Sequence, residues 1–178
     1  MNTHIRYLKQ LPALLGGVVL FSACLKDTPY MDVSNTQPII EFGISPASGN
    51  YGPFLWHDSS YTTSLDTAIS LVVASPQVLP DAVTATVAID TSQISAYNNA
   101  NGTSFVLLPS HLYSLPSTSI TIAAQHRIGS IPVTLHFDQF PGVHNYALPL
   151  VIMKASQTSG ASLIVSGNAS TFMWLLEH

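Results

Sequence analysis

The chain has 178 residues and a single cysteine, Cys24, so no intramolecular disulfide can staple it. Cations are scarce as well, with five Lys and Arg against nine Asp and Glu. Phosphate contacts need clusters of Lys and Arg, so a nucleic-acid partner is excluded. The acids are scattered along the chain, with no run dense enough for a disordered acidic tail. Catalytic frames are absent. There is no His-Glu-x-x-His, no EF-hand loop, and Ser159-Gly160 and Ser166-Gly167 lack the Gly-x-Ser-x-Gly frame. Nine acids without neighbours in sequence also offer no carboxylate pair for glycoside hydrolysis. The expectation is a protein that is not an enzyme and calls for no cofactor.

What is present begins at the N-terminus. Arg6 and Lys9 precede an apolar run, Leu11 to Phe21, followed by Ser22-Ala23-Cys24. Eleven residues at about 1.5 Å each fall far short of a hydrocarbon core of about 30 Å, so a signal peptide is the better reading and a transmembrane anchor the weaker one. Small residues before a thiol are what a lipoprotein signal peptidase requires, and Cys24 is the expected lipidation site. The expected organisation is a signal peptide over 1–23, an acylated cysteine and tether over 24–37, and one β-sandwich domain over 38–178. Leu25-Lys26-Asp27 resembles the short Lys-acidic signal of Bacteroidetes lipoproteins exported to the outer face of the outer membrane. The expected location is therefore the outer membrane, lipid-anchored and surface-exposed. Cleavage before Cys24 takes Arg6 and Lys9 away, leaving Lys26, Arg127 and Lys154 against nine acids, a net charge of −6.

Beyond the tether, short β-branched runs broken by turn residues are the pattern of an antiparallel sandwich. Strands are expected over 39–43, 67–73, 83–89, 119–122, 128–137, 146–153 and 171–176, seven to eight in all. Ile69, Leu71 and Val73 share one face, and so do Val83, Ala85, Val87 and Ile89. Over Thr91 to Ala100 the period changes to that of a short helix, capped by Asp90 or Ser92 and ended by Asn101-Gly102. Pro132 and Pro149 fall inside expected strands and should lie at an edge, a bulge or a strand start.

The order Val83 to Asp90, then Tyr97-Asn98-Asn99-Ala100-Asn101-Gly102-Thr103, then Leu107-Leu108-Pro109, Tyr113-Ser114-Leu115 and Tyr146-Ala147-Leu148-Pro149-Leu150 resembles the immunoglobulin-like N-terminal domain family of Bacteroidetes surface lipoproteins. That is a domain of unknown function associated with glycan utilisation. The resemblance covers roughly residues 38 to 176 and implies an all-β, two-sheet antiparallel sandwich with one short helical insert. It departs at Ala123-Ala124-Gln125-His126, where a turn glycine is often found. That departure puts the turn geometry in question.

Two stretches are candidates for binding. Tyr51, Phe54, Trp56 and Tyr61 crowd a loop-like segment with His57 and Asp58. Flat rings stack on C–H-rich sugar faces while polar groups hold hydroxyls, so a carbohydrate site is one reading and a loop packed on its own aromatics the other. His136-Phe137-Asp138 places two possible ligands on one strand face, but no histidine has a second His or Cys at ligand spacing, and exposed polar residues are the better account. Asp66-Thr67-Ala68 resembles the Bacteroidetes O-glycosylation triplet. The expected function is a non-catalytic accessory module in glycan capture. The alternative is a structural or protein-docking module beside neighbouring surface lipoproteins or a transporter, without glycan affinity.

Overall fold

A computed structural model describes residues 35–44 and 63–177, and the backbone of 54–56. Residues Thr36–His178 form one compact unit, and the fold is that of this unit. Cys24 and its leader lie outside the described residues.

Among the described residues, eleven strands form two sheets. In chain order they are β1 Ile39–Phe42, β2 Phe54–Trp56, β3 Leu65–Ala74, β4 Val83–Ile89, helix α1 Ser92–Asn101, β5 Val106–Leu107, β6 Tyr113–Ser114, β7 Ser119–Ile122, β8 Ile128–Leu135, β9 Asn145–Gln157, β10 Ile164–Val165 and β11 Thr171–Glu177. One sheet runs β10-β1-β3-β8-β6 and the other β2-β11-β9-β4-β7, with β5 beside β9. The fold is the expected β-sandwich. Its principal ladders are antiparallel, while β1–β10, β2–β11 and β5–β9 are parallel.

The alternation read from the sequence sets the core. Ile69, Leu71 and Val73 of β3 and Val83, Ala85 and Val87 of β4 point inward and are buried. They meet Ile131, Val133 and Leu135 of β8 and Leu148 and Leu150 of β9. Thr67 lies in the same inward row of β3, half-buried and paired with Val133 of β8, which argues against it as a glycan acceptor. Gly129 shows how closely the two layers meet. A Cβ there would stand 2.7 Å from Ile122 Cγ1, so only glycine lets β8 approach β7 across the core.

Strands β9 and β11 read as near-continuous apolar runs because both their faces are covered. Phe172, Trp174 and Leu176 face the sandwich interior, while Ala147, Met173 and Leu175 face outward beneath Ile94 of α1 and Phe105. Burying a side chain such as Ile94 is worth about 1.5–3 kcal/mol, which is what holds so short a helix in place. The Asp90 carboxylate opens the helix, accepting from the Ser92 N–H at 3.1 Å, the Ser92 hydroxyl at 2.7 Å and the Gln93 amide at 3.0 Å. Gly102 closes it with φ 65°.

The Tyr97-to-Thr103 motif has a structural explanation in Asn98. Its amide donates to the Phe105 carbonyl at 2.8 Å and accepts from the Phe105 N–H and the Thr103 hydroxyl, both at 2.9 Å. One side chain thereby folds the exit from α1 back so that Phe105 can seal the second cluster.

The two prolines follow different rules. Pro132 sits where β8 has β3 on one side and β6 has not begun, an edge position as expected. Pro149 instead lies within the long strand β9. The Leu108 N–H donates to the Ala147 carbonyl, so the backbone polar groups of residue 149, two further on, also point toward the β5/β4 side. There β5 pairs through Ala147 and β4 begins at Leu150, so the missing N–H falls in the gap between two partners. The turn Ala123–His126 keeps its shape without glycine. Gln125 itself takes φ 64°, with its N–H on the Leu79 carbonyl at 2.9 Å.

Candidate functional site

One end of the sandwich gathers polar side chains from three separate elements. Leu135, at the end of β8, pairs with Leu65 at the start of β3 on one side and with Tyr113 of β6 on the other. Ser64, Ser114 and His136 therefore stand beside the same strand end. The chain then crosses to the other sheet through a 3-10 turn, Phe137–Gln139, before β9 begins at Asn145. Phe137 is buried and packs on Phe140 at 4.9 Å, which pins the turn and leaves His136 and Asp138 outside. The His136 N–H donates to the Leu112 carbonyl at 2.9 Å.

The side chains form one hydrogen-bonded row. The Ser64 hydroxyl donates to Asp138 Oδ1 at 3.2 Å. Having spent its only proton, Ser64 accepts from His136 Nδ1 at 3.1 Å, so that nitrogen carries the imidazole proton. In that tautomer His136 Nε2 accepts from the Ser114 hydroxyl at 3.0 Å. The protons run Ser114 to His136 to Ser64 to Asp138. Among the described residues, no donor reaches Asp138 Oδ2 or the Ser114 lone pairs. Burial pushes the neighbouring Tyr113 phenol above its usual pKa, so it stays neutral.

The adjoining wall is aromatic. His144 is buried, stacked on Tyr146 at 5.3 Å and edge-on to Phe140 at 5.0 Å, and its Nδ1 lies 2.8 Å from the Pro141 carbonyl. Val143, in the turn between Phe140 and His144, is 85% exposed.

Of the aromatic segment named from the sequence, Tyr51, His57, Asp58 and Tyr61 lie outside the described residues. Phe54 and Trp56 are placed by their backbone, and the loop assignment is corrected for them: they belong to β2, at the edge of its sheet, where Phe54 pairs with Leu175 and Trp56 with Glu177. Glu177 also pairs with Asn145, so β2 finishes at the end of the sandwich where the His136 row lies. The strand placement of His136-Phe137-Asp138 is corrected too, since His136 follows the end of β8 and Asp138 sits on the 3-10 turn. No group of three His, Cys, Asp or Glu that could hold a metal ion occurs among the described residues. Ser64 and Ser114 went unnoticed in the sequence. They lie 72 and 22 residues from His136, and only the β3–β8–β6 pairing joins them.

Residues 51–159 match the model of a family described as an N-terminal domain. No curated protein sequence matches the chain. Among solved structures, a candidate carbohydrate-binding protein from Bacteroides ovatus ATCC 8483 superposes with a TM-score of 0.58 at 13% identity, over 78% of this chain and 36% of the other. A two-domain protein of unknown function from Bacteroides fragilis NCTC 9343 gives 0.58 at 9% identity, over 79% and 45%. EndoBT-3987 from Bacteroides thetaiotamicron, in a structure with a Man5GlcNAc product, gives 0.52 at 20% identity, over 78% and 30%. The chain thus spans less than half the length of each of these proteins. At such identities the likeness is one of fold.

Proposed function

The chain belongs to the N-terminal-domain family matched over residues 51–159, and on that premise we propose that it is a non-catalytic module of glycan capture, held at the cell surface by acyl chains on Cys24. The observation that carries the reading is the composition of one sandwich end. A row of hydroxyl, imidazole and carboxylate groups lies beside half-buried and buried rings, at the end where the strand bearing Trp56 stops. Sugars present both kinds of surface, apolar C–H faces and hydroxyls. Two fold neighbours, one a candidate carbohydrate-binding protein and the other seen with an oligomannose product, support the same direction.

The test is affinity electrophoresis of the chain against polysaccharides, with Trp56→Ala alongside. Retardation of wild type and not of the folded variant supports glycan binding through the aromatic segment. For the anchor, labelled palmitate should enter wild type and not Cys24→Ala, and external protease should reach the protein on intact cells.

A docking role is favoured by a different observation. The matched structures carry this sandwich within chains more than twice as long, so it coexists with further protein mass. Co-purification with other surface proteins, combined with no retardation on any glycan, would select that role.

A further inference from the structure

The hydroxyl directions at the sandwich end define what it can accept. We propose that Asp138, Ser114, His136 and Ser64 form a site for the hydroxyls of a neutral carbohydrate, an assignment that rests on the glycan-capture reading. Every proton in the row is already committed inward, from Ser114 to His136 Nε2, from His136 Nδ1 to Ser64, and from Ser64 to Asp138 Oδ1. What faces outward is acceptor only: Asp138 Oδ2 and the Ser114 oxygen. A ligand must therefore bring donors at both ends of the row, and the several hydroxyls of a sugar chain bring them. Ser114 is a better acceptor for donating along a row that ends on a carboxylate, since linked hydrogen bonds polarise one another.

Other ligand classes fit poorly. An anion needs cations or free N–H groups, and the two cations among the described residues are engaged or placed elsewhere. Arg127 donates to the Ser75 and Pro76 carbonyls beyond the far end of β3, and Lys154 stands opposite Thr86 on β9. A hard divalent cation takes about six to eight oxygen ligands, and this row offers one carboxylate. The scaffold is rigid. His136 is tied by its backbone to Leu112 and by both ring nitrogens to serines, over the buried Phe137 and Leu135. A site fixed before binding loses little ordering entropy when a sugar arrives.

Two readouts on the full chain test the assignment. Imidazole nitrogen chemical shifts at neutral pH should show His136 protonated at Nδ1 and bare at Nε2. The opposite tautomer reverses the hydroxyl directions and overturns the proposal. The second readout is affinity electrophoresis on neutral mannan, xylan and β-glucan and on acidic polygalacturonate. In Asp138→Asn an amide N–H replaces the free acceptor, and losing a hydrogen bond to a charged group weakens binding by about 10- to 100-fold. Retardation on a neutral polymer that falls by that factor in Asp138→Asn and falls in Ser114→Ala, with unfolding curves unchanged, supports the site. Equal retardation of wild type and both variants overturns the site and leaves the glycan reading standing. Retardation on polygalacturonate alone overturns the neutral class. No retardation on any polymer overturns the reading beneath it.

Discussion

Gln125 holds a backbone conformation that costs an L-residue energy, and replacing it with glycine should stabilise the protein. Its φ of 64° lies in the left-handed region, where the Cβ crowds the following carbonyl at a cost of about 1–2 kcal/mol. Glycine avoids that cost but gives up about 0.5–1 kcal/mol more conformational entropy on folding. The net expectation for Gln125→Gly is a gain of about 0.5–1 kcal/mol. The side chain is exposed and the anchoring bond from the residue 125 N–H to Leu79 survives, so nothing offsets the gain. Urea unfolding should show a midpoint raised by about 0.2–1 M at unchanged slope. Gln125→Ala is the control, because it keeps the Cβ and removes the rest of the side chain. If Gln125→Ala matches Gln125→Gly, the gain comes from the side chain and the strain argument fails. If Gln125→Gly is no more stable than wild type, the left-handed backbone costs this turn nothing and the reasoning is refuted.

Three further outcomes are expected. Gly129→Ala should destabilise by about 1–3 kcal/mol, because its Cβ would meet the buried Ile122 Cγ1 at 2.7 Å; in urea unfolding, the cost should be smaller in an Ile122→Ala background, which lacks that atom. Asn98→Ala removes three hydrogen bonds that fold the α1 exit and should cost about 1–3 kcal/mol, with hydrogen exchange accelerating first at Phe105. Hydrogen bonds from Gln93 and Ser92 hold the Asp90 carboxyl below its ordinary value of 3.8. A depressed folded-state pKa supplies stability above the unfolded value and loses it as pH falls through the folded one. Stability measured below pH 4 should therefore fall less steeply in Asp90→Asn than in wild type, and parallel acid limbs would contradict the assignment.

The long strands were legible because burial on one face imposes strict alternation. Val83 to Ile89 and Ser119 to Ile122 have the same limits in the sequence reading and in the fold, and α1 shifts by a single residue. Strand β9 runs longer than its expected span because a bulge opposite Thr86 and Val87 lets it continue through the polar Lys154, Ser156 and Gln157. Four strands went unread: β2, β5, β6 and β10 have two or three residues each, too few to show a period, and they exist because a partner strand is there to receive them. The site was less legible than the fold. His136 and Asp138 were visible as a pair, but what relates them is a serine on another strand, and no spacing in the sequence encodes that.

The parallel pairings of β1 with β10 and β2 with β11 constrain how the chain reaches its native state. Ile39 pairs with Ile164, and Phe54 with Leu175, so the first strands made complete their sheets only when the last have been made. Closing such large loops costs entropy before any contact repays it, which makes folding slow. In a nascent chain β1 can pair early with β3 on one side, but its other side and β2 stay without their native partners until β10 and β11 emerge. Removing β11 would take away the strand between β2 and β9, and with it Trp174 from the core.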